Sequence, residues 1–190
     1  MATAIRTTAC AFSAYAALLL FAAGLSAQAP TTPAPVPPSP DWKVYTYPAD
    51  GFSISLPSAP DISKRNLDSD AGPIELRAYT STDGDAVIVI AVCDYGSGAA
   101  GKDATIVLQN AKNGELQHSG SHIVSEKQIT MGAYPGLQFE AENDQTHSTF
   151  RLYYVGSTLY QALVITPLNN PCPDTMLFLD SFQLIAREQG

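Results

Sequence analysis

The stretch LQFEAENDQTHSTFRLYYVGSTLYQALVIT, residues 137–166, decides the fold. It divides into three predicted strands, residues 137–142, 147–155 and 158–166. A four-residue loop joins the first two, and the pair Gly156-Ser157 joins the last two. A two-residue connection that begins with glycine is typical of a type II′ turn, so the pair predicts a tight antiparallel hairpin.

These two connections also predict which residues face each other across the strands. The predicted pairs are Val155–Thr158, Tyr153–Tyr160, Arg151–Ala162, Glu142–His147 and Glu140–Thr149. Because successive side chains of a strand point to opposite faces, this register sorts the stretch into two faces. One face is apolar and is predicted to be core: Leu137, Phe139, Phe150, Leu152, Tyr154, Leu159, Leu163 and Ile165.

The opposite face carries Glu140, Arg151, Tyr153 and Tyr160, with Gln138 and Thr149 beside them. Tyrosine and arginine are enriched at the hot spots of protein interfaces, so these four residues are a candidate binding face. Arg151 lies diagonal to Glu140 in the predicted register, which favours a surface ion pair between them. A helix packed on this face would instead make the tyrosines part of the core.

Further strands are predicted where apolar and polar residues alternate or form short apolar runs. They cover residues 52–56, 74–80, 86–92 and 122–131. The run 86–92 is apolar on both faces, which indicates a strand covered on both sides of the sheet. Residues 58–73 are polar and are predicted to form a loop, and residues 133–136 a turn.

Two helices complete the prediction. The first covers residues 102–117, with Asp103 as its N-cap or first-turn residue, and the second runs from Asp174 through Asp180. Strands joined by hairpins, with two separate helices, predict an α+β fold, in which an antiparallel β-sheet has helices packed on it.

The first forty residues predict export rather than a folded unit. Arg6 precedes an apolar run, residues 9–25, and Ala27-Gln28-Ala29 matches a small-x-small cleavage pattern. Residues 1–29 are therefore predicted to be a signal peptide, with cleavage after Ala27 as an alternative because Pro30 follows Ala29. The protein is expected in the periplasm or secreted, with membrane contact only if the segment is left uncleaved.

A proline-rich linker and one domain follow the predicted signal peptide. Six of the eleven residues 30–40 are proline, a composition that favours extended polyproline structure. Residues 41–190 are the length of a single domain. The formal net charge of the whole chain is −8, which makes nucleic acid an unlikely class of partner.

The cysteines of the predicted domain are Cys93 and Cys172. In an oxidising compartment two cysteines predict a disulfide, which would close a loop of about eighty residues and contribute roughly 4–5 kcal/mol. Two buried thiols are the alternative.

Candidate chemical motifs are few. Gly96-x-x-x-x-Gly101-Lys102 resembles a phosphate-binding loop, but Asp103 stands where the hydroxyl that binds magnesium belongs, so no nucleotide is predicted. His118, His122 and His147 do not form a convergent metal set, and no cofactor is predicted. The carboxylates Glu140, Glu142 and Asp144 leave open an envelope hydrolase that uses Glu140 or Glu142.

A set of short motifs, in this order, resembles the PsbP-like family. They are GFSISLP (51–57), YPG (134–136), RLYYVG (151–156), Tyr160 and FLDSF (178–182), spread over residues 42–185. The family includes PsbP, Ran-release factors and exported proteins of the DcrB and LpqN types. The resemblance implies an antiparallel sheet between helices, an α/β/α sandwich, and a non-enzymatic role in binding other proteins.

The expected function is therefore an exported, non-catalytic module of the cell envelope that binds another envelope protein. The alternative of a different class is a carrier of a small apolar ligand, which a large apolar pocket would support.

Overall fold

A computed structural model of the chain describes residues 42–69, 72–96 and 102–187. In chain order, its elements are β1 (Lys43–Tyr47), β2 (Phe52–Leu56), β3 (Asp61–Ser69), β4 (Gly72–Asp83), β5 (Ala86–Asp94), α1 (Ala104–Ser119), β6 (His122–Met131), β7 (Tyr134–Glu142), β8 (Thr146–Val155), β9 (Thr158–Pro167), α2 (Thr175–Ser181) and β10 (Gln183–Leu184). The predicted α+β class is confirmed: antiparallel sheets carry two helices. The predicted signal peptide (1–29) and linker (30–40) lie outside the described residues.

The large sheet has seven strands in the order β3-β4-β5-β9-β8-β7-β6. Within it the predicted hairpin register is confirmed, since Tyr153 pairs with Tyr160 and Val155 with Thr158. The pairing of Glu142 with His147 is confirmed as well. Gly156 has φ +64°, the left-handed conformation that the first residue of such a turn needs.

The central strand β5 has a core on each side of it, as its unbroken apolar sequence predicts. Val89 and Cys93 belong to one cluster of buried side chains, whereas Ile88 and Ile90 belong to the other. All eight residues of the predicted core face, from Leu137 to Ile165, lie in the first cluster.

Helix α1 covers the first core. Its buried residues include Val107, Leu108 and Ala111, which pack in that cluster. Asp103 is the N-cap as predicted, because its carboxylate accepts a hydrogen bond from Thr105 N at 2.8 Å. The helix ends at Gly120, which adopts φ +64°.

The second core is covered by a small sheet as well as by α2. Strands β1, β2 and β10 form this three-stranded antiparallel sheet, which the sequence analysis does not predict. Phe52, Ile54 and Leu56 of β2 pack with Phe178 and Leu179 of α2 against the large sheet. The helices therefore lie on opposite faces of the large sheet, with a second sheet beside α2.

Several boundaries differ from the prediction, and two regions differ most. Residues 58–73 are predicted as a loop, but β3 spans Asp61–Ser69 and pairs with β4 at the edge of the sheet. Its described side chains, residues 61–66, are exposed, so β3 has no alternation of apolar residues for the sequence to reveal. The predicted turn at 133–136 is shorter, because β7 already begins at Tyr134.

The predicted disulfide is corrected by the structure, in which Cys93 and Cys172 are both thiols. Cys172 Sγ lies 3.7 Å from Asp83 Oδ2, and Asp83 pairs with Ala86 at the start of β5. Cys93 comes seven residues after Ala86 on that strand, so it lies about 23 Å from Ala86 at roughly 3.3 Å per residue. A disulfide needs Cα atoms within about 7 Å, so the two cysteines cannot be bridged in this fold.

Candidate binding site

The predicted binding face is largely covered. Tyr153 is 5% exposed and Tyr160 is 3% exposed, and both belong to the second core. The ring of Tyr153 stacks on Phe182, with centroids 5.8 Å apart. Burial raises the pKa of both tyrosines, so their hydroxyls stay protonated. The small sheet and α2 cover most of the predicted binding face, whose four residues would have to be exposed to bind a partner.

Arg151 and Glu140 stay half-buried, but the predicted ion pair between them does not form. Arg151 Nη1 lies 2.7 Å from the carboxylate of Asp180, on α2, and Arg151 Nε donates to Gln138 Oε1 at 2.8 Å. Gln138 takes this bond because it is directly opposite Arg151 in the register, whereas Glu140 is opposite Thr149. Arg151 therefore joins α2 to the large sheet.

A row of Glu142, His147 and Thr149 on the same sheet face resembles the order of groups in a catalytic triad. His147 Nδ1 is 2.9 Å from Glu142 Oε1, and His147 Nε2 is 3.5 Å from Thr149 Oγ1. The second distance is longer than an ordinary hydroxyl hydrogen bond. Strand β8 lies between β7 and β9, so its amides bond to the ladders and do not offer an oxyanion hole.

The remaining predicted motifs are structural where the structure describes them. Asp103 caps α1, and residues 97–101 of the phosphate-loop resemblance lie outside the described residues. Within residues 42–69, 72–96 and 102–187, no group of three His, Cys, Asp or Glu side chains could hold a metal ion. Neither helix in these ranges has the length and apolar character that crossing a bilayer requires.

A buried polar network that the sequence analysis missed joins the β1–β2 turn to the large sheet. Asp50 is buried, accepts a hydrogen bond from the hydroxyl of Tyr79 and is ion-paired with Arg77. The carbonyl of Asp50 accepts a hydrogen bond from Tyr160 Oη at 2.7 Å. Burial and the Asp50 carboxylate raise the pKa of Tyr79. The only sequence signal for this network is Asp50-Gly51, a dipeptide typical of turns.

Helix α2 presents apolar side chains on both of its sides. Phe178 and Leu179 are buried in the second core, while Met176 is 44% exposed and Leu177 is 46% exposed. Met176, Leu177, Phe178 and Leu179 are consecutive in the chain, and the described residues cover only Phe178 and Leu179. This surface, defined by Met176 and Leu177, is called the α2 surface below.

Cavities open at two places among the described residues that bear on a ligand. One, of about 250 Å³, lies between α1 and the β6–β7 hairpin and mixes apolar residues with Thr105, Gln109, Gln128 and Thr130. The other, of about 320 Å³, lies at the β8–β9 turn and includes the side chain of Arg187. Both have polar side chains in their linings, so neither is the large apolar pocket that the expected carrier of an apolar ligand requires.

Comparison with known proteins rests on structure. No protein-family model matches the chain, and no curated protein matches it. The solution structure of cyanobacterial PsbP (CyanoP) from Synechocystis sp. PCC 6803 matches with a TM-score of 0.52 and 12% identity. The match covers 76% of this chain and 92% of that one. The chain has a PsbP-like fold.

A crystal structure from Bacteroides thetaiotaomicron VPI-5482 also matches, with a TM-score of 0.40, 15% identity, and coverage of 76% of this chain and 48% of that one. The PsbP-like fold confirms the resemblance that the sequence motifs indicate. Within this fold, the motif residue Tyr160 is a buried residue of the second core, and residues 178–182 belong to α2 and its C-cap.

Proposed function

We propose that this protein is an exported, non-catalytic accessory module of the cell envelope, which binds another envelope protein through the α2 surface. The observation that supports the proposal is the exposure of Met176 and Leu177 beside the buried pair Phe178 and Leu179. A helix that presents apolar side chains on two of its sides is normally covered on both. The described part of the chain covers one side and leaves the other open to a partner.

The chemistry of the α2 surface suits a protein partner. Methionine and apolar side chains are typical of the desolvated centre of an interface, and charged groups are typical of its rim. Asp180 is 63% exposed at the end of α2, and Asp85 is exposed near the loop that precedes the helix, where Asn170 donates to it. Residues 166–182 contain no lysine, arginine or histidine. We therefore expect a partner with an apolar centre and a basic rim.

The non-catalytic part of the proposal rests on how buried and half-buried charged side chains are used. Arg151 is paired with Asp180, Arg77 with Asp50, and Lys112 with Glu126 at 2.6 Å. These pairs join separate elements of the fold, which is a structural use of charge. The resemblance to the PsbP-like family, whose members bind proteins, agrees with this assignment.

The export part rests on Arg6, the apolar run 9–25 and the Ala27-Gln28-Ala29 pattern. Expression of the full chain in a bacterial host, followed by intact-mass analysis of the extracytoplasmic fraction, tests it. A chain that begins at Gln28 or Pro30 supports cleavage. An intact terminus at Met1 or Ala2 would overturn it.

Affinity capture tests the α2 surface. The purified protein is immobilised and exposed to envelope extract of the source organism, in parallel with the double variant Met176→Lys/Leu177→Lys. Ile62→Lys is the matched control, because Ile62 is an exposed apolar residue on β3, at the far edge of the large sheet. Circular dichroism checks that all three proteins are folded.

The proposal expects a protein that wild type and the Ile62 variant retain and that the double variant loses. The retained protein should then bind with a basic surface, so its retention should weaken as salt is raised. Capture that is equal for all three proteins would remove the α2 surface from the proposal. Capture of no protein at all would remove the protein-binding role.

A further inference from the structure

The cavity of about 320 Å³ lies where four separate parts of the chain meet. They are the β1–β2 turn, the start of β7, the β8–β9 turn, and β10 with the segment that follows it. Its lining consists of Gly51, Tyr134, Val155, Gly156, Ser157, Thr158, Tyr160, Leu184, Ile185 and Arg187. Its volume is at the lower end of the range that small organic ligands occupy.

The side chain of Arg187 is held in a defined position at this cavity. Its Nη2 donates to Thr158 Oγ1 at 2.8 Å and to Tyr160 Oη at 3.1 Å. The segment itself is held because Ile185 N donates to Gly51 O at 2.9 Å. Gly51 has φ +74°, and a Cβ there would lie 2.7 Å from Arg187 Cγ. Glycine at this position therefore makes room for the stem of the arginine.

Burial opposes the charge of Arg187, but the Tyr160 hydroxyl and the carboxylates of Asp94 and Asp50 outweigh it and raise the pKa of the arginine. Its acceptors at short distance are two hydroxyls, and burial keeps the Tyr160 hydroxyl neutral by raising its pKa. The carboxylate in contact with it is Asp94, at 3.5 Å from Nη1, and Asp94 is not part of the cavity lining. Among the described residues, Arg187 Nε has no acceptor. Arg187 is thus the one ionised side chain that the described residues contribute to the lining, and it is positive in a chain of net charge −8.

The walls of the cavity supply apolar contact. Tyr134 is 41% exposed, and Val155, Leu184 and Ile185 lie with it around the opening. A planar guanidinium with open donors matches a carboxylate, which can accept two of its N–H groups at once. An aromatic or aliphatic group attached to that carboxylate would contact the apolar walls.

We propose that this cavity binds a small organic carboxylate, whose carboxyl group contacts the Arg187 guanidinium and whose apolar body lies against Tyr134, Val155 and Leu184. The site is separate from the α2 surface and does not depend on the protein-binding role. Its ligand is an anion with an apolar body, unlike the wholly apolar ligand of a carrier.

Benzoate is the probe, and benzamide, of the same shape but neutral, is its control. Each is titrated to millimolar concentration into ¹⁵N-labelled full chain at neutral pH, with the backbone amides of the β8–β9 turn and the Arg187 Nε–H as reporters. Benzoate is expected to give saturable shifts confined to the cavity residues. Arg187→Gln is expected to weaken benzoate binding by at least about tenfold, because it removes a charge-assisted contact.

Two further variants keep the test decisive. Val155→Phe, which fills part of the cavity and leaves the guanidinium in place, is also expected to abolish the shifts, so the test survives if the Arg187 variant does not fold. Arg65→Gln removes the same charge at an exposed position of β3, at the edge of the large sheet, and should bind benzoate as wild type does. Equal binding of benzamide and benzoate, benzoate binding unchanged by Arg187→Gln, or no saturable shift with benzoate would each overturn the carboxylate site.

Discussion

Glu115 offers the sharpest test of the packing of α1 on the large sheet. It is a carboxylic acid on the buried side of α1, and it is only 7% exposed. Lys112, one turn earlier, is bonded to Glu126 at 2.6 Å rather than to Glu115. Burial raises the pKa of Glu115 from 4.5 to about 7. Replacing Glu115 by glutamine removes the titrating group and keeps the shape of the side chain.

The sign and size of the effect follow from that pKa. Below pH 4.5 the carboxyl is protonated in both the folded and the unfolded chain. Between pH 4.5 and about 7 the unfolded chain releases its proton while the folded chain keeps it, so the free energy of unfolding falls as pH rises. The pKa values of the folded and unfolded chain differ by about 2.5 units, which corresponds to about 3 kcal/mol of unfolding free energy. The wild type loses this stability as pH rises, and Glu115→Gln does not.

Urea unfolding, followed through the single tryptophan, Trp42, and by circular dichroism, measures this free energy at pH 4.5, 6, 7 and 8. The difference between Glu115→Gln and wild type should shift in favour of the variant by about 3 kcal/mol from pH 4.5 to pH 8. Asp144→Asn, an equal change of charge at an exposed turn residue, is the control and should show no such trend. A difference between Glu115→Gln and wild type that is constant with pH would refute the burial of Glu115.

Three further predictions concern the second core, the turn beside the cavity and the thiols. Gly51→Ala should lower the free energy of unfolding by at least about 2 kcal/mol, and Gly120→Ala, at a similar φ but in open space, by only about 1 kcal/mol; equal losses in urea unfolding would contradict the crowding at Gly51. Phe178→Ala should cost about 3–5 kcal/mol in the same assay, and a loss under about 1 kcal/mol would show that α2 is not packed as described. Alkylation of the unreduced protein in denaturant, read by peptide mass spectrometry, should modify both Cys93 and Cys172; protection of both until a reductant is added would restore the disulfide.

Much of the large sheet could be predicted because its information is local. The stretch 137–166 specifies its own register, since a two-residue turn and a strand period of two leave one alignment in which the apolar residues share a face. The capped start of α1 and the doubly apolar β5 are local patterns of the same kind. Strand β3 was not predicted because its residues 61–66 are exposed and all but Ile62 are polar, as is common at the edge of a sheet.

The candidate site could not be predicted in the same way. Tyr153 and Tyr160 look like a binding face in the local pattern, which shows that they share a surface but not what lies on it. The residues that cover them, such as Phe52 and Phe182, come from the two ends of the described chain. The cavity at Arg187 likewise depends on Gly51 and Thr158, which only the complete fold brings beside it.

The sequence by itself determined most strands of the large sheet, the hairpin register, the two helices and the apolar face that forms the first core, because neighbours in the chain decide these features. Only the tertiary structure decided that the tyrosine face is core, that the cysteines lie near opposite ends of β5, and that the α2 surface and the Arg187 cavity are open. The contact between Tyr160 and Asp50 joins residues 110 positions apart. Contacts of that separation depend on how whole elements pack, which no local pattern of residues records.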